Sequence, residues 1–499
     1  MGIIARQSIK GTIATYIGVA VGFFTTFFVL TRFLTTEEVG LARVLLDAAT
    51  LFVGLAQLGT SSSIIRFFPY FSTDDKRSHG FFFWMLIVPL VGFLFFAALF
   101  WLLRTPIETW FGDKSPMFVD YYYFVLPLAF FMLFETVAET CSNVTMRIVL
   151  PRTVREVGVR VGLLICYLLY AFRYLSMDGF VVALCINYAL AATIDLIYFF
   201  LTNKGISLKP DILFLKQNPS LVRNYLLYTL FLIVSALASV LAPALSSFFI
   251  TAKMGLSFTG IFAIATYMAT VVGIPYRSLT AIAAPQLADS LKKQDTQQTA
   301  TLLKQVTNNT LLVSCTIFLL IWLNIDLIYH ILPNGTTYVA ARTDVFILSL
   351  SQLLLATFSF SLSTLNYGKY YAFSLLFSTI LTITAIAFNQ WLVPVWGMHG
   401  AAMSNLLSYA IYFACILTTV RLTMKQHPFC ISQLITIALF AAIIIVNEVV
   451  LNSMSEMNIW LSSVVRTTLF IGLYLFVAYF KQLSPEINAL LRSLFIHRH

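Results

Sequence analysis

Apolar runs of about twenty residues, broken by short polar turns, recur from one end of this chain to the other. A helix rises 1.5 Å per residue, so a run of that length crosses the hydrocarbon core of a bilayer. Such runs begin near residues 12, 40, 80, 120, 157, 179, 224, 258, 306, 343, 372, 397, 429 and 457. The pattern predicts an all-α polytopic membrane protein of about 14 transmembrane helices. No polar stretch between the runs is long enough to fold as a separate soluble domain.

Composition agrees with the pattern. Of 499 residues, 59% are hydrophobic and 10% charged, where a soluble domain carries about a quarter charged. The formal charge of +10 reads as a topology signal, not as a nucleic-acid surface. With the N-terminus inside, 23 of the 31 Lys and Arg fall on inner segments, 6 on outer ones, and Arg43 and Arg466 lie within spans. That split is the positive-inside rule and predicts both termini in the cytoplasm. Arg6 and Lys10 precede a first run too long for a signal-peptide core, so it reads as a retained span. Cys141, Cys166, Cys185, Cys315, Cys415 and Cys430 are scattered without CxxC spacing and read as small apolar residues. The six histidines are equally dispersed, and the reading assigns no metal and no cofactor.

The chain also repeats internally. Gly40 in EEVGLARV precedes Gly260 in SFTGIFAI by 220 residues, and Gly179 in SMDGFVVA precedes Gly400 in GMHGAAMS by 221. Both pairs sit where outer turns meet spans, which suggests two six-span halves entering the membrane from the same side. The predicted organisation is a first lobe over 1–203, a cytoplasmic inter-lobe loop over 204–223, and a second lobe over 224–426. An appended helix pair over 427–483 and a cytoplasmic tail over 484–499 complete it.

Ionised side chains are costly in hydrocarbon unless they have a partner or a wet cavity, so charge within spans marks candidates. Arg43 and Asp47 lie four residues apart on one face of span 2, and Glu135 and Glu139 repeat that spacing in span 4. The corresponding positions of the second half are Ala263, Tyr267, Ala356 and Phe360. A polar site walled mainly by the first lobe is therefore expected. Asp195, near the inner end of span 6, is expected to be solvated. Arg466 in span 14 either lines a lateral groove or pairs with Glu448.

Three segments carry a family resemblance. They are Leu34-Thr35-Thr36-Glu37-Glu38-Val39-Gly40 between spans 1 and 2; Leu58-Gly59 followed by Ser63 to Arg66; and Pro394, Gly397 and Gly400-Ala401-Ala402 leading into span 12. In this order the chain resembles the polysaccharide-transporter branch of the multidrug/oligosaccharidyl-lipid/polysaccharide flippase superfamily. The resemblance implies a flippase in the bacterial plasma membrane that is not an enzyme. It would move a polyprenyl-diphosphate-linked oligosaccharide, an O-antigen, capsule or exopolysaccharide unit, from the inner to the outer leaflet by alternating access. Membrane lipid, a glycan polymerase and assembly proteins are the implied partners.

On that basis Arg43 is a candidate for the diphosphate, because a guanidinium forks onto phosphate oxygens. Arg66 and Arg277 are candidates for capture at the inner mouths, and Asp47 completes the substrate-binding set. Asp47, Glu135 and Glu139 are candidates for coupling to H+ or Na+. Two carboxylates four residues apart cannot both ionise comfortably in low dielectric, so one should take a proton or pair with Arg43. The bland alternative, an Arg43–Asp47 pair that merely neutralises itself, stays open. Rival functions are a multidrug or cation antiporter, a lipid-linked peptidoglycan precursor flippase, and, from another class, a membrane glycan polymerase or ligase.

Overall fold

The computed structural model describes residues 3–71, 78–145, 147–203, 209–220, 222–225, 244–368, 370, 372–453, 457–485 and 488. These residues are helical almost throughout, with no strand among them, and 11 of the helices are long and apolar enough to cross a membrane. The chain forms two compact units, Met1–Ala263 and Ile264–His499.

In the first unit, α1 (Ile3–Phe24) continues through a π-helical stretch, Thr25–Leu30, into a last turn at Thr31–Phe33. The turn that follows is a reciprocal cap. Thr35 Oγ1 accepts from Glu38 N at 3.3 Å, and Glu38 Oε2 accepts from Thr35 N at 2.8 Å. Both orphan amides are thereby satisfied, and Glu37 and Glu38 face the positive end of the helix dipole. This cap starts α2 (Thr36–Ala56). Leu58 (φ 49) and Gly59 (φ 68) then break the helix in the left-handed region, and α3 (Thr60–Phe71) restarts it. Glycine enters that region freely, whereas the leucine beside it holds a conformation bulky residues avoid.

Next come α4 (Phe81–Leu102), a short amphipathic α5 (Arg104–Phe111), α6 (Pro116–Tyr121) and α7 (Val125–Val144). Then follow α8 (Val149–Thr153), a π-helical segment Val154–Gly158, α9 (Val159–Ala171), α10 (Met177–Thr202) and the short α11 (Ile212–Gln217). Helix α7 is the pillar of this unit and packs against α2, α3, α4 and α10. Ile64, Phe67, Phe81, Phe82, Met85, Val137, Cys141 and Phe199 fill the space between these helices. Gly162 lets α9 close on α10, since a Cβ there would overlap the Asn187 side chain, whose Nδ2 donates to the Val159 carbonyl at 3.2 Å.

The paired glycines of the repeat meet each other. The first unit ends within α12 (Leu256–Thr270), whose first turns cross α2. A Cβ on Gly40 would run into the Leu256 carbonyl and lie 3.1 Å from Gly260 N. One on Gly260 would run into the Thr36 carbonyl and lie 3.0 Å from Gly40 N. The contact is reciprocal, since each glycine meets the carbonyl of the residue four positions before the other. Thr36 Oγ1 and Ser257 Oγ share a hydrogen bond of 2.5 Å beside the crossing.

The second unit holds α13 (Ile274–Lys292), α14 (Thr296–Leu323), α15 (Ile325–Ile331), α16 (Gly335–Tyr338), α17 (Arg342–Tyr367), α18 (Ala372–Met424), α19 (Ile431–Ser453) and α20 (Ile459–Phe480). Helix α14 is central and packs on α13, α17, α19 and α20 around Leu311, Cys315, Phe318, Phe440 and Tyr474. The runs predicted from 372 and 397 form one 53-residue helix, interrupted at Gly397 (φ 59, ψ −131). Only glycine reaches that conformation without strain, and the bend brings Gly400 against the Leu392 carbonyl. Most of the run predicted from 224 lies outside the described residues.

Candidate functional site

Helix α2 buries Leu41, Val44, Leu45, Ala48, Ala49 and Phe52 and leaves a less buried stripe through Arg43, Leu46, Asp47 and Thr50. On that stripe Arg43 Nε donates to Asp47 Oδ2 at 2.8 Å, with the two side chains 34% and 16% exposed. The self-neutralising pair left open by the sequence therefore forms. It binds the guanidinium through Nε, and the two terminal nitrogens remain as further N–H donors.

Glu135 and Glu139 share a face of α7 but have different surroundings. Glu139 Oε2 accepts from Arg155 Nη1 at 2.6 Å. Arg155 stands on the π-helical segment, whose wider turn separates α8 from α9. Of the two outcomes left open for these glutamates, a proton or a pairing with Arg43, the pairing does not form: Arg43 is held by Asp47, and the arginine at α7 is Arg155. Nothing in the sequence spacing relates these two residues, which are 16 apart and on different helices. Glu135 is buried to 5% exposure, and its Oε1 has no hydrogen-bond partner.

Asp195 is a second correction. Expected to be solvated, it is completely buried, and neither carboxylate oxygen has a hydrogen-bond partner. Distance from a helix end says nothing about what packs on that turn. Here α10 presents Tyr188, Ala191, Ala192 and Asp195 as a buried stripe, and α10 packs along α7. Glu135, Glu139 and Arg155 all lie within electrostatic reach of Asp195. Arg155 is thus paired with Glu139 and within electrostatic reach of Glu135, Glu156 and Asp195.

The remaining candidates are not part of this cluster. Arg277 is exposed on α13. Arg66 belongs to α3, and its side chain lies outside the described residues. Arg466 is buried on α20, where Nε donates to the Ser462 carbonyl at 3.3 Å; Glu448 acts on it only through space, together with Asp326 and Arg342. Sequence reasoning also missed the bond of 2.6 Å between His399 Nδ1 and Asp344 Oδ1, which ties α17 to α18 just beyond Gly397.

A sequence profile of the family described as polysaccharide biosynthesis protein matches residues 8–289, more than half of the chain. The chain belongs to that family. No curated protein sequence matches it. Among solved structures, the lipid II flippase MurJ in an inward closed conformation matches with a TM-score of 0.72 at 14% identity, over 95% of this chain and 99% of that one. An inward-facing multidrug resistance MATE family transporter of the MOP superfamily gives 0.61 at 14% identity, over 85% and 99%. A MOP superfamily transporter from Pyrococcus furiosus gives 0.56 at 13% identity, over 84% and 96%. These likenesses show the fold. The family match places the chain among polysaccharide biosynthesis proteins, and the fold it carries is the one seen in these transporters.

Proposed function

We propose that this polysaccharide biosynthesis family member flips a polyprenyl-diphosphate-linked oligosaccharide from the inner to the outer leaflet of a bacterial plasma membrane by alternating access. The observation that carries the reading is Arg43, a partly exposed guanidinium within a membrane-spanning helix, tethered by Asp47 through one edge. A diphosphate offers pairs of anionic oxygens that two parallel N–H donors can meet, which suits the fork of a guanidinium better than the point charge of an ammonium. Asp47 sets the rotamer and keeps the charge compensated while the site is empty, so arriving substrate meets a pre-oriented donor. Arg66 and Arg277 recruit the same headgroup electrostatically from the inner side. A glycan polymerase and assembly proteins would take up the product.

A second reading has one observation in its favour. The fold match to the lipid II flippase extends over nearly the whole chain, and a peptidoglycan precursor presents the same diphosphate with a different glycan. Deleting the gene and analysing lipid-linked intermediates by leaflet separates the two. Accumulation of inner-leaflet oligosaccharide lipid supports the first reading; accumulation of the peptidoglycan precursor supports the second. No change in either pool refutes both.

A further inference from the structure

The buried seam between α7 and α10 has no role in diphosphate recognition, yet it holds carboxyl oxygens that are buried without a hydrogen-bond partner. Glu135 Oε1 and both oxygens of Asp195 lack a hydrogen-bond donor. Ser142, two turns beyond Glu135 on the same face of α7, adds a buried hydroxyl that is also without a partner. An ionised carboxylate in such a place loses its hydration and gains nothing in return.

Three things can remove that cost: a cationic side chain, a metal cation or a proton. The cationic side chains facing the seam are Arg155 on the π-helical segment and Arg160 on α9. Arg155 is engaged by Glu139, and Arg160 by Glu156 at 3.2 Å. On α2, Arg43 and Asp47 neutralise one another, and α4 contributes no titratable group. Among the described residues these helices also carry Tyr167 on α9, Tyr188, Tyr198 and Cys185 on α10 and Cys141 on α7, and the Arg66 and Tyr70 side chains of α3 lie outside the described residues. A metal cation needs several converging oxygens, and among the described residues no three His, Cys, Asp or Glu side chains converge to hold one. A proton needs no such cage. It turns an acceptor-only carboxylate into a group that can donate as well as accept.

We propose that Glu135 and Asp195 form a buried proton-binding site in the first unit, and that loading and emptying this site is the ion-coupling step of transport. The coupling half rests on the transporter reading above. Deprotonation passes H+ to water and leaves a carboxylate, whose charge Arg155 compensates by exchanging Glu139 for it. Glu139, less deeply buried, is then the group left to solvent. Of the coupling candidates named from the sequence, Asp47 and Glu139 thereby become counter-ions, Glu135 remains, and Asp195 joins it.

The test is infrared difference spectroscopy of the full-length protein in lipid nanodiscs, following the C=O stretch of protonated carboxyl groups as pH is raised from neutral. The wild-type protein should show a protonated-carboxyl band at neutral pH, which Glu135→Gln and Asp195→Asn should each reduce by about half. Asp289→Asn, at an exposed carboxylate paired with Lys293, should leave the band unchanged. Glu135→Asp and Asp195→Glu, which keep a carboxyl group, should retain a shifted band and so separate loss of the site from loss of the fold. A missing wild-type band, a band indifferent to both amide variants, or one bleached by added Na+ at constant pH overturns the proposal. In proteoliposomes, each amide variant should flip the oligosaccharide lipid at least tenfold more slowly and without the wild-type pH dependence. Wild-type pH dependence in both variants overturns the coupling role even with the band present. A wild-type protein that shows the band but moves no oligosaccharide lipid leaves the proton site standing and refutes the substrate reading instead.

Discussion

The crossing of α2 and α12 predicts the effect of adding a single methyl group. Gly40→Ala places a Cβ inside contact distance of the Leu256 carbonyl, which belongs to backbone and cannot rotate away. Restoring van der Waals separation requires the helices to part by about 1 Å. Overpacking of this kind costs about 2 kcal/mol, while replacing glycine by alanine within a helix returns about 1 kcal/mol. The net loss is about 1 kcal/mol, or about 2–4 °C in Tm for a unit of this size. Gly260→Ala should behave alike because the contact is reciprocal. The double variant should cost little more than either single one, since the first methyl has already parted the helices for the second. Gly472→Ala on α20, with open space around its Cβ, is the control and should be neutral or slightly stabilising. Buried free thiols at Cys141, Cys166, Cys185 and Cys315 provide the assay, reacting with a fluorogenic maleimide as the detergent-solubilised protein unfolds. If Gly40→Ala shifts Tm as Gly472→Ala does, or if the two crossing variants add in full, the reciprocal contact is refuted.

Other consequences are equally direct. Arg43→Lys keeps the charge but loses the fork, so export of oligosaccharide lipid should fall at least tenfold, and Arg43→Ala should abolish it; full activity in the lysine variant would argue against diphosphate recognition. Arg155→Ala leaves Glu139 without its ion-pair partner and should destabilise by about 1.5–3 kcal/mol, whereas in a Glu139→Gln background the same substitution should cost far less. Independent effects in a double-mutant cycle would show that the pair does not form. Thr35→Ala removes one arm of the reciprocal cap and should lower stability by about 1 kcal/mol without altering substrate preference, measured by thermal unfolding and by export.

Much of this architecture is visible in the sequence because its causes are local. The cap at Thr35–Glu38, the break at Gly59 and the bend near Gly397 follow from backbone requirements that few residue types meet. The Arg43–Asp47 pair is legible for the same reason, since four residues on a helix is a fixed displacement. What could not be read depends on which helices pack together. Arg155 reaches Glu139 because a π-helical turn presents it to α7, and no periodicity in the chain marks that turn. Asp195 sits on a helix apolar nearly all round, so its pattern does not say which stripe is buried. Gly40 and Gly260 were recognisable as counterparts, but their mutual contact is a tertiary fact that equal spacing alone cannot supply.

That contact also limits what either position can hold. The two helices touch backbone to backbone, so each glycine is fixed by the chain opposite it and neither can gain a side chain while the other helix lies against it.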